Sequence, residues 1–174
     1  MAVDAFLSMV TGGSAVKGET LDSVFAKDAF EIEEYEFGVE NPTTIGTATG
    51  GAGAGKARFK ELVIYKTVDV ASPALFQHAA SGSHFEKAIL SIRKAGGAKG
   101  GEKPYLTYEF STVFITSITH ELEEEEGEEL PTEIVKMVFG GVQIKYSMQD
   151  TQGKLSAPTQ GTWNQVTNKA ALNI

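Results

Sequence analysis

Residues 50–56 form a glycine-rich tract, Gly-Gly-Ala-Gly-Ala-Gly-Lys, whose spacing nearly matches that of a phosphate-binding loop. Gly50, Gly55 and Lys56 satisfy the G-x-x-x-x-G-K pattern, in which backbone N–H groups and the lysine contact phosphates. Ala57 stands where such a loop has a serine or threonine, whose hydroxyl holds Mg²⁺. The tract therefore suggests an enzyme that uses a nucleotide, but it lacks the hydroxyl that the metal needs.

The sequence on both sides of this tract argues against a nucleotide site. A phosphate-binding loop follows a buried strand and begins a helix, so that the helix N-terminus faces the phosphates. Residues 41–49 are instead rich in Asn, Pro, Gly and Thr, which is typical of turns and loops. Residues 59–65 are rich in β-branched and aromatic side chains, which predicts a strand. We therefore interpret residues 41–57 as a long loop.

The other residue types that could do chemistry show no recognised pattern. The chain has no cysteine, which excludes disulfides, thiolate zinc sites and cysteine nucleophiles. His78, His84 and His120 lack the spacing of metal ligands, and no G-x-S-x-G motif is present. Residues 121–129 contain seven glutamates without the ligand spacing of a calcium loop, and we interpret them as a solvated acidic loop. We expect no catalytic residue, metal or cofactor.

Composition and charge restrict the class of protein. The chain has 174 residues, of which 41% are hydrophobic and 22% charged, as in a globular domain. Its formal net charge of −8 makes it a poor candidate for nonspecific nucleic-acid binding, which depends on an excess of cations. No apolar run is long enough to span a membrane, and the first residues lack the basic region of a signal peptide. We expect one domain over residues 1–174.

Hydrophobic periodicity predicts a mainly β protein. Short alternating segments, with little helical pattern between them, favour antiparallel sheets that form a barrel or a sandwich. The apolar phase changes near Glu33–Glu34 and again at Gly140–Gly141, and each change predicts a β-bulge.

One helix is predicted at about residues 73–81. Ser72 can act as its N-cap, Pro73 suits the first helical position and Gly82 can end it. Since a helix of this length is marginal alone, we expect it to pack on the flank of the sheets.

Arg93 and Lys94 place two adjacent cations on an acidic chain. This arrangement predicts an electrostatic contact with a complementary surface, including that of another copy of the chain.

Short motifs over nearly the whole chain occur in a specific order and spacing, although each is weak alone. They comprise residues 1–7, 16–19, 50–56, 66–69, 72–75, 81–85, 91–97, 142–146 and 161–164. Together they resemble the Hcp family, the haemolysin-coregulated proteins of the bacterial type VI secretion system. The glutamate-rich residues 121–129 and the length of the segment around residues 41–49 depart from the family pattern.

The resemblance implies two antiparallel sheets in a barrel-like sandwich with one flanking helix, assembled as a six-membered ring. Such rings stack into a secreted tube that carries effectors in its lumen, ends in a spike protein and is driven by a contractile sheath. The implied protein starts in the bacterial cytoplasm, leaves without a signal peptide and has no nucleic-acid partner or membrane insertion.

A closed ring needs contacts between unlike patches of neighbouring subunits, and loop 41–57 is a candidate for making them. The candidate subunit or ring contacts are Gly50, Gly51, Gly53, Gly55, Lys56, Arg93 and Lys94. Two other hypotheses stay open: an enzyme that binds nucleotide at residues 50–56, and a monomeric β-sandwich that binds a sugar or a cation.

Overall fold

The computed structural model describes residues 3–25, 28–43, 55–94, 103–122 and 130–173. Within these ranges the chain is mainly β, with one α-helix. The elements in chain order are β1 (Val3–Thr11), β2 (Ser14–Ala15), β3 (Phe30–Ile32), β4 (Glu34–Glu36), β5 (Val39–Glu40), β6 (Arg58–Phe59), β7 (Leu62–Thr67), α1 (Ser72–Ser81), β8 (His84–Lys94), β9 (Leu106–Glu121), β10 (Thr132–Tyr146) and β11 (Thr159–Asn164).

The strands form two antiparallel sheets. The larger sheet has nine strands, with β2-β1-β8-β9-β10-β7-β4 in order, β11 beside β10 and β3 beside β1. Strands β5 and β6 form a separate two-stranded sheet, which we call the ribbon. This architecture confirms the predicted fold class, a barrel-like sandwich of antiparallel sheets with one helix.

A single short segment, residues 30–36, pairs with a strand near each end of the main strand order. Its first half, β3, pairs with β1, and its second half, β4, pairs with β7. Between them the strand is interrupted at Glu33, whose backbone N–H donates to the carbonyl of Tyr65 at 2.8 Å. The predicted bulge near Glu33–Glu34 is therefore a complete break in the strand. The segment changes its partner there from β1 to β7, and the inward-facing side chains change from even-numbered to odd-numbered residues.

The core is filled mainly by alternate residues of the long strands of the nine-stranded sheet. Leu7 on β1 and Leu90 on β8 are fully buried. An aromatic group continues the core between β9 and β10, where the rings of Phe110 and Phe139 are 4.8 Å apart and Phe37 packs against both. Removal of this apolar surface from water is the main force that holds the strands and the helix together.

The predicted bulge at Gly140–Gly141 is wrong. The ladder between β9 and β10 keeps one register across both glycines, and its register shift lies at Lys136/Met137, where Thr116 is the extra residue of β9. The apolar phase changes at the glycines because β10 leaves β7 after Met137 and pairs with β11 from Gly141 onward.

Helix α1 packs against β9 and buries Leu75. It ends at Gly82, which has the left-handed φ of 67° that glycine adopts readily, as predicted. The assignment of Ser72 as N-cap is wrong, since Ala71 holds that position. The side chain of Ser72 instead points into the protein, where its Oγ donates to Glu133, and the Ala71 N–H is bound by the carboxylate of Asp69.

Candidate functional site

The ribbon holds both ends of loop 41–57. Its two residue pairs are Val39–Phe59 and Glu40–Arg58. The ring of Phe59 lies 5.8 Å from that of Phe139, which fixes the base of the ribbon to the core. Strand β6 follows the glycine tract where a phosphate-binding loop needs a helix, so the geometry removes the basis of the nucleotide hypothesis.

Two of the predicted contact residues lie at the base of the loop. A Cβ added to Gly55 would lie 2.6 Å from the carbonyl oxygen of Pro42, so only glycine allows the two sides of the loop to approach this closely. Lys56, the next residue, is exposed. The other predicted loop contacts, Gly50, Gly51 and Gly53, lie outside the described residues.

Arg93 is engaged within its own chain. Its guanidinium group lies 3.3 Å from the carboxylate of Asp4 and forms a second ion pair with Asp22. It also lies over the rings of Phe6 and Phe25, at 5.0 Å and 5.9 Å from their centroids. Burial acts to raise the pKa of Asp22, but the hydrogen bond from Arg93 and two backbone N–H groups hold it below its usual value. Arg93 thereby fastens the segment between β2 and β3 to the end of β8.

Lys94 differs from its neighbour. Its side chain is exposed at the end of β8 and forms no ion pair with any residue that the structure describes. Of the predicted acidic loop 121–129, Glu121 and Leu122 are described, and both are exposed. The rest of that loop lies outside the described ranges.

The structure brings together a buried cluster, formed by Lys66, Asp69, Ser72, His120 and Glu133, that sequence reasoning did not identify. The Nζ of Lys66 lies 3.1 Å from Oε2 of Glu133 and 2.8 Å from Oδ1 of Asp69. Ser72 Oγ donates to the same Glu133 oxygen at 2.9 Å, and His120 Nε2 lies 2.9 Å from the other. The side chains of Lys66 and Glu133 are 0% exposed.

This buried cluster combines a hydroxyl, an amine, a carboxylate and an imidazole, but its burial gives it a structural role. Ser72 is 3% exposed, so a substrate cannot reach its hydroxyl, and only His120 is substantially open to solvent. The members come from β7, α1, β9 and β10, so their hydrogen bonds lock the helix onto the sheet. Nowhere in the described part of the chain do three or more His, Asp or Glu side chains form a group suited to a metal ion.

The electrostatics of Glu133 favour its charged form. Burial acts to raise the pKa of this carboxyl group, but the hydrogen bond from His120, the charge and hydrogen bond of Lys66 and the hydrogen bond from Ser72 outweigh it. The pKa of Glu133 is therefore lowered from its usual value of 4.5. A carboxylate that is ionised and paired in the folded state stabilises that state against the unfolded chain.

Comparison with known proteins assigns the family. The family model described as "Type VI secretion system effector, Hcp" matches residues 6–146, most of the chain. The chain belongs to the Hcp family. The resemblance in the sequence motifs is thus confirmed.

Individual relatives agree with this assignment along nearly the full length. "Protein hcp1" of Pseudomonas aeruginosa strain PAO1 is 33% identical over 166 residues, which cover 94% of this chain and 96% of that protein. A solved structure of a type six secretion system protein has a TM-score of 0.84 and 27% identity, and covers 97% of this chain and 99% of that one. Hcp1 from Salmonella typhimurium has a TM-score of 0.74 and 27% identity, with 98% and 100% coverage.

The position of the buried cluster on this Hcp fold could be found in the sequence. Lys66 lies on the same face of β7 as the buried Leu62 and Ile64. Glu133 lies on the same face of β10 as the buried Val135. Opposite charges at inward positions of two strands are a signal of a buried pair, because an isolated buried charge is costly. His120 had no such local signal, because it lies at an exposed position near the end of β9. No described helix of this Hcp chain is long and apolar enough to cross a membrane.

The lowered pKa of Glu133 predicts acid sensitivity of this Hcp fold. Because the folded pKa lies below the unfolded one, the stabilisation is present above about pH 4.5 and is lost as the pH falls through the folded pKa. We expect Glu133→Gln to flatten the fall in the free energy of unfolding between pH 6 and pH 3, measured by urea denaturation at each pH. A slope equal to that of the wild type would show that Glu133 makes no such contribution.

Proposed function

We propose that this chain is the structural subunit of a type VI secretion tube. Six copies close into a ring, rings stack into a tube, and the tube is secreted and carries effectors in its lumen. Membership of the Hcp family over residues 6–146 supports this proposal, and so does a fold that resembles those of Hcp proteins. The single domain over residues 1–174 has no enzymatic role in this function and needs no cofactor.

The ribbon is the observation that carries the assembly proposal. It stands apart from the nine-stranded sheet, is anchored at its base by Phe59, and has the exposed residues Val39, Glu40 and Arg58. A ring needs one patch of each subunit to meet a different patch on the next, and a long loop whose ends lie on a two-stranded ribbon is a candidate for such a patch. Small residues in the loop allow close approach of two backbones.

The predicted contact residues have different roles in this proposal. Gly50, Gly51, Gly53, Gly55 and Lys56 serve the loop contact, and exposed Lys94 binds an acidic surface on a neighbouring copy. Arg93 does not itself bind the neighbouring copy, because Asp4 and Asp22 already pair its charge. Its ion pairs stabilise the end of β8, where Lys94 lies.

The partners follow from the same assembly. The tube contacts a contractile sheath on its outside, a spike protein at its tip and effectors in its lumen. On this proposal the chain is made in the bacterial cytoplasm and leaves through the secretion apparatus.

Deletion of residues 46–54 is expected to abolish the ring without unfolding the subunit. The deletion shortens the loop while leaving the ribbon pairs and the core residues in place. Native mass spectrometry should show sixfold mass for the wild type and mainly monomer for the deletion, with matching far-UV circular dichroism. A variant with residues 46–54 in scrambled order keeps the loop length and separates the effect of length from that of sequence.

Two results would argue against the proposal in different ways. A sixfold mass for the deletion variant would remove the loop from the interface while leaving the ring intact. A wild-type monomer at high concentration would favour instead a monomeric β-sandwich that binds a ligand.

A further inference from the structure

An open groove, which we call the acidic groove, lies between the segment that follows β2 and the turn that joins β7 to α1. Its walls carry the carboxylates of Glu19, Glu31, Glu33 and Asp69, and no lysine or arginine is among the described residues that line it. Asp69 is paired with the buried Lys66. The other three carboxylates form no ion pair with any described residue, so they give the groove a net negative charge.

Threonine hydroxyls orient two of these carboxylates. Thr20 Oγ1 donates to Oε1 of Glu31 at 2.8 Å, and Thr67 Oγ1 donates to Oε1 of Glu33 at 2.6 Å. Both glutamates are exposed, while Ile32 between them is buried, so the two point to the same outer side. In extended backbone, residues two positions apart are separated by about 7 Å. The groove therefore presents an oriented pair of carboxylates with this spacing.

The ribbon carries the opposite charge with the same spacing. Lys56, Arg58 and Lys60 are exposed and alternate with half-buried residues, which places the three cations on the outer side of β6. Lys60 pairs with Glu40 at 3.0 Å. Lys56 and Arg58 form no ion pair within the part of the chain that the structure describes. Two cations, two positions apart, are thus left for a partner.

Two exposed leucines at the edge of the acidic groove suit it to long cationic side chains. Leu21 is 96% exposed and Leu130 is 54% exposed, and both line the groove. The segment that carries Leu21 is held in place by Phe25, whose ring stacks on that of Phe6 at 4.4 Å. The aliphatic stems of lysine and arginine can cover such apolar surface while their charged ends reach a carboxylate.

We propose that, within the ring, the acidic groove of one copy receives Lys56 and Arg58 of the next copy, which pair with Glu31 and Glu33. This inference rests on the proposed function and names the patch that the ribbon contacts. The groove and the ribbon are unlike patches of one chain, as a contact that closes a ring requires. Neither cation lines the groove of its own chain, so the pairing is made between copies.

Charge reversal in the full-length chain tests the pairing. Glu31→Lys with Glu33→Lys should convert the sixfold mass in native mass spectrometry to mainly monomer, because like charges then face each other across the contact. Lys56→Glu with Arg58→Glu should have the same effect. The chain that carries all four substitutions again has opposite charges on the two patches and should recover the sixfold mass.

Two further variants separate the pairing from net charge and from folding. Glu61→Lys with Glu86→Lys makes the same change of charge at exposed positions outside the groove and should keep the sixfold mass. Glu31→Gln with Glu33→Gln keeps an oxygen for each threonine hydroxyl but removes both charges. It should lower the sixfold fraction while the far-UV circular dichroism stays that of the wild type.

The failure of this inference differs from the failure of the proposed function. If the wild type has the sixfold mass, the inference is overturned when the reversed variants keep that mass, when the four-substitution chain stays monomeric, or when the control loses the ring equally. The proposed function then still stands. A wild type that is monomeric at high concentration would overturn the proposed function, and the inference with it.

Discussion

Glu133→Gln is expected to lower the free energy of unfolding at pH 7 by about 3–5 kcal/mol, the range found when one partner of a buried ion pair is removed. Lys66 would then be buried at 0% side-chain exposure with Asp69 as its remaining carboxylate partner. The variant would also weaken the bonds from Ser72 and His120, which join the helix and β9 to β10. Urea denaturation followed by circular dichroism would measure the loss.

The chain offers a matched control for this prediction. Glu40 pairs with Lys60 at 3.0 Å, but both side chains are about two-thirds exposed. Glu40→Gln should therefore change the free energy of unfolding by less than about 1 kcal/mol, as is usual for exposed ion pairs. A double-mutant cycle with Lys66→Met would measure the coupling directly, since residues in contact do not contribute additively. If both glutamine variants lost the same small amount, the buried cluster would not be a major source of stability.

Arg93→Ala is expected to lower the free energy of unfolding by about 3 kcal/mol, since it leaves two carboxylates, one of them mostly buried, without their cation. Asp22 is the more buried of the two, with 12% of its side chain exposed. The variant also removes the contact of the guanidinium group with the rings of Phe6 and Phe25. Thermal unfolding with calorimetry would detect a clear fall in the midpoint temperature.

Lys94→Ala is the control, because the two residues are adjacent and differ in exposure. It should leave the thermal midpoint of the isolated subunit nearly unchanged and should weaken ring assembly if Lys94 binds a neighbouring copy. The opposite pattern, with Arg93→Ala stable and defective only in assembly, would restore Arg93 as a direct contact.

Local signals predicted the parts of the fold that depend on neighbouring residues. Pro73 and Gly82 located α1 because their backbone preferences act within one turn. Ser72 was misassigned as a cap because its hydroxyl binds Glu133, which is 61 residues away in sequence. Competition of this kind between local capping and a distant partner is decided by packing, which a single sequence does not display.

Charged residues of the candidate site show the same limit of prediction from a single sequence. Arg93 and Lys94 look alike in the sequence, but Arg93 meets Asp4 across 89 residues and Lys94 stays exposed. The two phase changes also had different origins: an interrupted strand at Glu33 and an exchange of partner strands at Gly141. A change in the phase of apolar alternation indicates that a strand changes its surroundings. The identity of the new neighbouring strand depends on the rest of the chain.

The break at Glu33 has a mechanical consequence. Strands β3 and β4 are three residues long each, whereas β9 and β10 have 16 and 15 residues. Hydrogen bonds between antiparallel strands run perpendicular to the strands. A force that pulls neighbouring strands of the sheet apart therefore acts directly on these bonds. The ladders on either side of Glu33 have three residue pairs each, far fewer than the β9–β10 ladder, so we expect the nine-stranded sheet to open beside Glu33 while the β9–β10 ladder stays intact.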